Sequence, residues 1–290
     1  MEVTLLGTGS PVPNLDRAGN AYAVTVDGAT YMVDCGPGAV YKLMENDIDP
    51  AAITELLFTH HHVDHNAAFP HFAIAGWTAG RDSLTVYGPD GTGDLVNALY
   101  SVYDEDIAYR EEVGYSTEGI EDIDCVRVDD GFELERGGLT VTAAQVEHSI
   151  ETYAYRFEHE DGTVVFSADT QPLDDLAEFA AGADVLVHDA HLAPVGDPPE
   201  DGFVWDRYTT AYSEELQSGL RETHSTPTQA GEVAAAAGVD ALVLTHFPPY
   251  RDEDATRRAA AAAFDGTVRV GHDGLALGLE DSSVQHGPTA

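Results

Sequence analysis

Four histidines and an aspartate follow an apolar run in the segment ELLFTHHHVDHN. In the pattern His60-x-His62-x-Asp64-His65, His60 and His62 can bind one ion, because alternate residues of an extended segment point to the same side. A turn at residues 63–64 would direct Asp64 and His65 toward a second ion. Imidazole nitrogens and carboxylate oxygens bind zinc at about 2.0–2.2 Å. The spacing therefore predicts a metal centre rather than a solvated histidine-rich loop.

Two ions need more ligands than this segment offers, and three candidates stand where other apolar runs stop. His148 ends LTVTAAQVEH, Asp169 ends TVVFSAD and His246 ends ALVLTH. In open α/β folds, ligands collect beyond the carboxyl ends of the strands. Each of these residues alone could be a hydrogen-bonded core residue. Together with the histidine cluster, they indicate one shared centre.

Short apolar runs separated by turn signals predict β-strands in both halves of the chain. In the first half they are VTLLG, AYAVTV, TYMVDCG, ELLFTH, LTVYGP and GLTVTAAQVEH, with helical stretches at AVYKLMEN and TGDLVNALYSVY. In the second half, YAYRFEHEDGTVVFSAD predicts a hairpin that turns at Asp161-Gly162. The strands ADVLVHDA, DALVLTHF and VRVGHDGLALGL follow. Two packed sheets covered by helices are therefore expected.

Two further helices are predicted in the second half, at PLDDLAEFAAG and TQAGEVAAAAG. The second has Thr226 as its cap, Pro227 at its first position and Gly238 after its end. We expect one domain over residues 1–280 and a polar tail at 281–290, because no repeat or linker interrupts the chain. The long connection at 192–224 carries four aromatic residues. They could line a pocket or a subunit contact, or they could simply pack beneath a surface loop. They are Phe203, Trp205, Tyr208 and Tyr212.

Acidic residues dominate the charge of the chain. There are 52 Asp and Glu against 13 Lys and Arg, so the formal net charge is −39. Such a surface repels nucleic acid and anionic membranes at ordinary salt. At about 1 M salt the Debye length is only about 3 Å, so the self-repulsion is screened. We therefore expect a protein from a salt-adapted organism rather than one with a cationic partner.

Cysteine content and hydropathy favour a cytoplasmic protein without membrane contact. Cys35 and Cys125 are too few for a disulfide framework. The sequence has no basic leader followed by an apolar stretch, and no apolar span long enough to cross a bilayer.

The chain resembles the metallo-β-lactamase-fold hydrolases, and among them the ribonuclease Z and arylsulfatase-type branch. FTHHHVDHN is similar to the superfamily signature, and VEHS, SADT and LTHFPPY to its later ligand motifs. LLGTGSPVPNLDRAGNAYAV, YMVDCGPG, VHDAHL and THSTPTQAG resemble further segments of the branch. The resemblance implies a four-layer αββα sandwich of the α/β class, with metals at one edge of the two sheets. It also implies a homodimer.

The resemblance further implies how two zinc ions would be bound, with Mn²⁺ or Fe²⁺ as alternatives. The expected ligands are His60, His62 and His148 for the first ion, Asp64, His65 and His246 for the second, and Asp169 for both. No thiol is a candidate ligand, because the branch uses the motif of Cys35 to support the site from outside.

The expected chemistry is hydrolysis by a hydroxide that the two ions share, while they also hold a tetrahedral phosphorus or sulfur centre. Asp64 would orient or deprotonate the attacking water. His224, in THSTP, would protonate the leaving oxygen or donate to a non-bridging oxygen. The alternative for His224 is a capping or surface histidine.

Other polar residues near strand ends would orient the metal-binding histidines, which usually donate their second N–H to a carboxylate or carbonyl. We expect this role for Asp34, His188 and Asp189. His191 and His272 occupy similar positions and receive no role from the sequence.

Several substrates remain open at this point. A small phosphodiester is the leading hypothesis, and a sulfate ester is the alternative. Cleavage of transfer RNA at its 3′ end is less favoured, because only 20 residues, 149–168, separate His148 from Asp169, where many of those enzymes carry an RNA-gripping arm. The HST segment argues against lactone or thioester hydrolysis. A redox di-iron site would have Glu in place of His62, and a metal-bound module without turnover would not need Asp64 and His224.

Overall fold

Two seven-stranded mixed sheets form the centre of the protein in a computed structural model that describes residues 1–196 and 214–279. Strands are numbered along the chain. From edge to edge, the first sheet contains β14 (Leu275–Gly278), β1 (Glu2–Gly7), β2 (Ala21–Val26), β3 (Ala29–Val33), β4 (Glu55–Leu57), β5 (Thr85–Gly88) and β6 (Asp124–Arg127). Strands β3 to β6 are parallel, and the other neighbours are antiparallel.

The second sheet has the same mixed plan. It contains β13 (Thr267–Val270), β12 (Ala241–Thr245), β11 (Val185–Asp189), β10 (Gly162–Phe166), β9 (Thr152–His159), β8 (Leu139–Val146) and β7 (Glu133–Arg136). Strands β10 to β13 are parallel, so their carboxyl ends lie at one edge of the sheet. The predicted hairpin at Asp161-Gly162 joins β9 to β10.

Helices cover the outer faces of both sheets. In the first half they are α1 (Ala39–Glu45), α2 (Val63–Asn66), α3 (Phe69–Thr78) and α4 (Thr92–Glu112), with a 3-10 turn at Pro50–Ala52. In the second half the described helices are α5 (Asp174–Phe179), α6 (Glu214–Arg221), α7 (Pro227–Ala237) and α8 (Glu253–Ala261).

Three apolar layers hold these elements together. Tyr22 of β2 stacks on Phe166 of β10 at 5.0 Å between the ring centroids, in the core between the two sheets. Phe72 of α3 packs in the core outside the first sheet, and Ala234 of α7 in the core outside the second. Burial of these apolar side chains is the main stabilising term of such a fold. The predicted four-layer αββα sandwich is confirmed.

Helix α7 begins and ends at the residues that the sequence marks. The Thr226 hydroxyl accepts a hydrogen bond from the backbone N–H of Gln229 at 3.2 Å, and the Gln229 side chain accepts one from the backbone N–H of Thr226 at 2.9 Å. This reciprocal cap fixes the helix start. Gly238, with φ of 68°, ends the helix in the left-handed region. The cap also fixes the chain immediately after His224.

Several elements differ from the prediction. Helix α3 was not predicted, because its sequence FPHFAIAGWT is apolar almost throughout and shows no helical alternation of polar and apolar residues. Helix α4 was predicted to end at Tyr103, where φ and ψ of −111° and 19° interrupt the helix, but it continues to Glu112. The second segment, YDEDIAYREE, is too polar to be recognised by periodicity.

Some expectations cannot be followed in the structure. Phe203, Trp205, Tyr208 and Tyr212 lie outside the described residues, as does the polar tail at 281–290. Within the described ranges, every helix is too short or too polar to cross a membrane.

Candidate metal centre

The histidine segment lies where β4 ends and the chain turns into α2. His62 is extended, with φ and ψ of −76° and 154°, and α2 begins at the next residue. This turn directs Asp64 and His65 into the same cavity as His60. The opposite wall comes from the second sheet. His148 follows β8, Asp169 follows β10 and His246 follows β12.

Four of the predicted ligands form one group. Nδ1 of His62 lies 3.1 Å from Nε2 of His60 and 3.2 Å from Nε2 of His148. Oδ2 of Asp169 lies 3.7 Å from Nε2 of His60 and 3.9 Å from Nε2 of His148. Ligand atoms around a tetrahedral zinc ion are about 3.3 Å apart when the bonds are about 2.0–2.1 Å. The group is therefore of the right size for one such ion.

A second group shares one of these atoms. Nε2 of His246 lies 3.1 Å from Oδ2 of Asp64 and 3.2 Å from Oδ2 of Asp169. Nε2 of His65 lies 3.3 Å from Oδ2 of Asp169 and 3.6 Å from Oδ2 of Asp64. In each group the four donor atoms lie within 4.8 Å of one another. The Asp169 oxygen belongs to both groups, so two ions could share it.

The second nitrogens of His60 and His65 contact Asp34 directly or through one hydroxyl. Nδ1 of His65 donates to Oδ2 of Asp34 at 2.7 Å. The hydroxyl of Thr59 donates to the same oxygen at 2.8 Å and accepts from Nδ1 of His60 at 3.0 Å. Asp34 is fully buried and lies at the end of β3. These contacts turn the Nε2 atoms of both rings toward the cavity.

The remaining histidines are held in the same manner. Nδ1 of His148 donates to the carbonyl of Thr223 at 2.9 Å. Nε2 of His62 lies 3.3 Å from the hydroxyl of Ser149. Nδ1 of His246 lies 3.4 Å from Oδ1 of Asp189. Each of the five histidines thus has one nitrogen held by a neighbouring group and the other directed into the cavity, which is the usual arrangement around protein metals. The donor set and its supports fit two divalent ions.

Three residues at the strand ends of this region have left-handed backbone. The φ angle is 58° at Asp34, 57° at Ala168 and 63° at His246. A residue with a Cβ atom adopts this conformation at a cost of about 1 kcal/mol or more. Such strain concentrates at functional sites, and here it occurs at Asp34, directly before Asp169 and at His246.

The five histidines of the two groups fall into two classes by the direction in which burial and neighbouring charges shift their pKa. Burial lowers the pKa of His60, His62 and His148 from the ordinary value of 6.5. Burial also acts on His65 and His246, but neighbouring carboxylates, that of Asp169 first, outweigh it there. They raise the pKa of His65 well above its ordinary value and that of His246 to about 10.

The carboxylates respond in the opposite direction. Burial alone would raise the pKa of Asp169, but His246, His65 and His60 hold it well below its usual range. The pKa of Asp64 is also lowered, because His65 and His246 outweigh its burial. Both groups are therefore anionic near neutral pH and can bind a cation.

A cleft of about 500 Å³ opens over the two groups. Five of the predicted ligands line it, together with Ser149, Gly219 and Thr223, and so do several apolar residues and two further histidines. The apolar residues and the two histidines are Pro11, Val12, Val63, Leu216, Leu220, His191 and His224. No lysine or arginine is among the described residues that line it. The cations bound by the two groups would therefore supply the positive charge for an anionic substrate.

His224 and Asp189 lie together at one side of the cleft. Nδ1 of His224 donates to Oδ2 of Asp189 at 2.9 Å, and burial leaves His224 only 7% exposed. The backbone N–H groups of His191 and Ser225 also donate to Asp189, at 2.8 and 3.3 Å. His224 therefore presents its Nε2 edge to the cleft.

The expectation for His188 needs correction. His188 pairs with Leu244 across the sheet, and Leu244 lies in the core beneath the outer helices. The His188 side chain therefore faces away from the cleft. Its Nδ1 atom donates to the carbonyl of Asp189 at 2.8 Å, and no described atom is a partner of its Nε2. The ring of the exposed His272 donates to the carbonyl of Asp273 at 3.1 Å.

Several residues of the site were not identified from the sequence. Thr59 links His60 to Asp34, and its position directly before the histidine segment was the only available signal. Nδ2 of Asn20 lies 3.1 Å from Nε2 of His65, although nothing in its surrounding sequence indicates this contact. The carbonyl of Thr223 and the ring of His191 also belong to the site.

Comparisons with known proteins identify the family of the chain. A family model described as "Beta-lactamase superfamily domain" matches residues 29–247, which include all seven candidate ligands. Ribonuclease Z from Mycobacterium marinum is 32% identical over 282 residues, which cover 94% of this chain and 96% of that protein. Ribonuclease Z from Mycobacterium sp. (strain KMS) is 35% identical over 290 residues, with 94% of each chain covered.

Solved structures show the same fold. The metallo-beta-lactamase fold protein YhfI from Bacillus subtilis is similar with a TM-score of 0.71 and 23% identity, and covers 95% of this chain and 98% of its own. Human tRNase Z, short form, has a TM-score of 0.69 and 20% identity, with 96% and 99% covered. The chain belongs to the metallo-β-lactamase superfamily, as a homologue of ribonuclease Z, and is a metal-dependent hydrolase of phosphodiester bonds.

Proposed function

We propose that the protein is a two-zinc phosphodiesterase whose substrate binds between the two donor groups and the Asp189–His224 pair. The observation that carries this function is the position of Asp169. One of its oxygens lies within 3.9 Å of donor atoms in both groups, which is the arrangement required to bridge two ions. The ligands are His60, His62 and His148 on one side and Asp64, His65 and His246 on the other.

The protein's own residues have separate tasks in the reaction. Divalent ions bound in this cavity would acidify a water molecule and neutralise charge on the phosphoryl oxygens. Asp64 accepts a proton from the attacking water, because its carboxylate is anionic and lines the cleft. As the new P–O bond forms, the bond to the leaving oxygen breaks. His224, held through Nδ1 by Asp189, gives a proton from its Nε2 to that oxygen, so the products are a phosphomonoester and an alcohol.

RNA is the first substrate to test. The curated relatives named Ribonuclease Z match this chain over 94–96% of their own length, so their chains have little room for an additional arm. The short connection between His148 and Asp169 is therefore a weaker argument against an RNA substrate than the sequence alone suggested.

A small phosphodiester is the second candidate. It is favoured by the cleft, whose described lining has no lysine or arginine to hold a polyanion, and by the net charge of −39. None of the relatives reported above supports sulfate-ester hydrolysis.

One assay series separates these substrates. The protein would be purified in multimolar KCl, loaded with Zn²⁺, and offered precursor transfer RNA, bis(4-nitrophenyl) phosphate, a nitrophenyl sulfate and a lactone. We expect cleavage of the phosphodiesters alone, and two metals per chain by elemental analysis. RNA cleavage at a defined site would support the RNA function. Turnover of only the sulfate or the lactone would contradict the proposed function.

Two substitutions test the assigned roles. Asp64→Ala should abolish turnover, while Asp174→Ala, which changes an exposed aspartate at the start of α5, should not. His224→Ala should cost about 10²–10⁴-fold with RNA, whose leaving oxygen needs a proton, and far less with the nitrophenyl diester, whose leaving group does not. Equal losses of rate on both substrates would show that His224 is not the proton donor.

Three further properties are part of the same proposal. Zinc is favoured by the mixed histidine and carboxylate donors, and competition with Mn²⁺ and Fe²⁺ during reconstitution would test it. The acidic composition suggests a salt-rich cytoplasm, so stability should rise with KCl. A homodimer, measured by sedimentation in KCl, is expected for this branch.

A further inference from the structure

His191 occupies a position in the cleft that the reaction above does not use. Its ring stacks on that of His224, with 4.3 Å between centroids and 15° between planes. Only 7% of the residue is exposed, and it lines the cleft beside His224. Its backbone N–H donates to Oδ1 of Asp189 at 2.8 Å, so the loop after β11 is fixed at this point.

Hydrogen-bond geometry fixes the position of the hydrogen on the His191 ring. Nδ1 of His246 faces Oδ1 of Asp189 at 3.4 Å, so this nitrogen carries a hydrogen. Nδ1 of His191 lies 3.3 Å from the same His246 nitrogen. Two N–H groups cannot point at each other over this distance, so Nδ1 of His191 must be the acceptor. The hydrogen of His191 therefore lies on Nε2.

The Nε2–H group of His191 has no acceptor within the described part of the protein. All the polar contacts of the ring are made on its Nδ1 side, to His246. A buried imidazole with an unused donor that borders a cleft can donate to whatever binds there.

A third metal ion is the competing interpretation, because His191, His224 and His246 have donor atoms within 4.8 Å of one another. His246 already directs Nε2 toward Asp64 and Asp169. A third ion would require its Nδ1 as well, so the ring would lose the hydrogen that Asp189 accepts. The geometry therefore favours a donor over a ligand.

We propose that His191 is a substrate-binding residue, whose Nε2–H donates to a non-bridging oxygen of the phosphoryl group. His224, stacked against it, keeps its Nε2 for the leaving oxygen. The two rings thus have different roles in the reaction. His191 binds charge without transferring a proton, and His224 transfers one. This role depends on the proposed function, because it requires a phosphodiester in the cleft.

Two substitutions isolate the donor from the ring. His191→Phe keeps a flat ring to stack on His224 and removes the donor. His191→Gln removes the ring and places an amide N–H near the position of Nε2. Because a hydrogen bond to a charged group is lost, His191→Phe should weaken binding of inorganic phosphate by about 10- to 100-fold and lower kcat/KM for the nitrophenyl diester to a similar extent. His191→Gln should recover most of both.

The leaving group separates this role from that of His224. His191→Phe should lower the rate with the nitrophenyl diester and with RNA by similar factors, whereas His224→Ala discriminates between them. Metal content would be measured on each variant, since His191 contacts His246. A His191→Phe variant that holds two metals and binds phosphate as tightly as the wild type would overturn the inference.

A measurement on the wild-type protein does not depend on any variant or on turnover. Long-range ¹H–¹⁵N spectra of the metal-loaded protein should show His191 neutral, with its hydrogen on Nε2. A hydrogen on Nδ1, or a third bound metal per chain, would refute the role. If the wild type cleaves no diester, phosphate binding and the tautomer still test His191. If it cleaves diesters while His191→Phe changes nothing, only the inference fails.

Discussion

Nδ1 of His224 lies 2.9 Å from Oδ2 of Asp189, in a pair that is almost completely removed from solvent. The carboxylate determines which nitrogen of His224 carries the fixed hydrogen, and so which one faces the cleft. The same carboxylate accepts from the backbone of His191 and lies opposite His246. One aspartate therefore positions His224, the proposed proton donor, the neighbouring ring of His191 and a proposed metal ligand.

Asp189→Asn should lower kcat by about 10²–10⁴-fold, because an amide would present a donor to at least one of these N–H groups and His224 would lose its orientation. The expected loss is larger with RNA than with the nitrophenyl diester. Steady-state kinetics on both substrates would measure it, with Asp174→Asn on the exposed start of α5 as the matched control. Unchanged kinetics would show that Asp189 does not position His224.

The two proposed metal sites should differ in how ion binding depends on pH. His60, His62 and His148 have lowered pKa values, so they are neutral at pH 7 and release no proton when an ion binds. His246, with a pKa of about 10, and His65 must lose protons first.

The affinity for the second ion should therefore rise by about tenfold or more per pH unit between about pH 7 and pH 9, while that for the first changes little. Calorimetric titrations in two buffers of different ionisation enthalpy would count the released protons. Equal pH dependence at both sites would contradict this assignment.

Thr59→Val should weaken metal binding by about 10- to 100-fold, because it removes the hydroxyl between His60 and Asp34 without changing the shape of the side chain. The free energy of unfolding should also fall by about 1–3 kcal/mol, since the buried Nδ1–H of His60 loses its acceptor. Thr25→Val is the control, because it makes the same chemical change at the Thr25–Thr30 pair, away from the cleft. A loss of stability with unchanged metal affinity would limit Thr59 to a structural role.

Gly36→Ala should displace the ligand loop. A Cβ atom at Gly36 would lie 2.1 Å from the backbone oxygen of Asp64 and 2.5 Å from the carbonyl carbon of Gly19. Because both neighbours are backbone, the loop must move, at a cost of about 1–3 kcal/mol or more. We expect lower metal content by elemental analysis and a lower melting temperature.

Gly93→Ala is the matched control. A Cβ atom there meets no atom within 4 Å, and the residue lies in the first turn of α4. The substitution should be neutral or stabilise the protein by up to about 1 kcal/mol. Metal retention in Gly36→Ala would show that the Asp64 loop tolerates the shift.

The convergence of the candidate ligands could be predicted because each stands at the end of an apolar run, where the chain leaves the edge of the sheet. The orientation of the His188 side chain could not be predicted from the sequence. Strand β11 reads VLVHD, apolar on both faces, so alternation gives no indication of which side chains face the helices. Thr59 and Asn20 were missed for a related reason. Their partners, Asp34 and His65, are distant in sequence and become neighbours only when the strands assemble.

The proposed ligands come from two different sheets, with His60, His62, Asp64 and His65 after β4 and His148, Asp169 and His246 beyond β8, β10 and β12. Neither sheet by itself carries enough donors for the pair of ions. A shift of one sheet against the other would therefore separate the two sets of donors, and metal binding and turnover would be lost together.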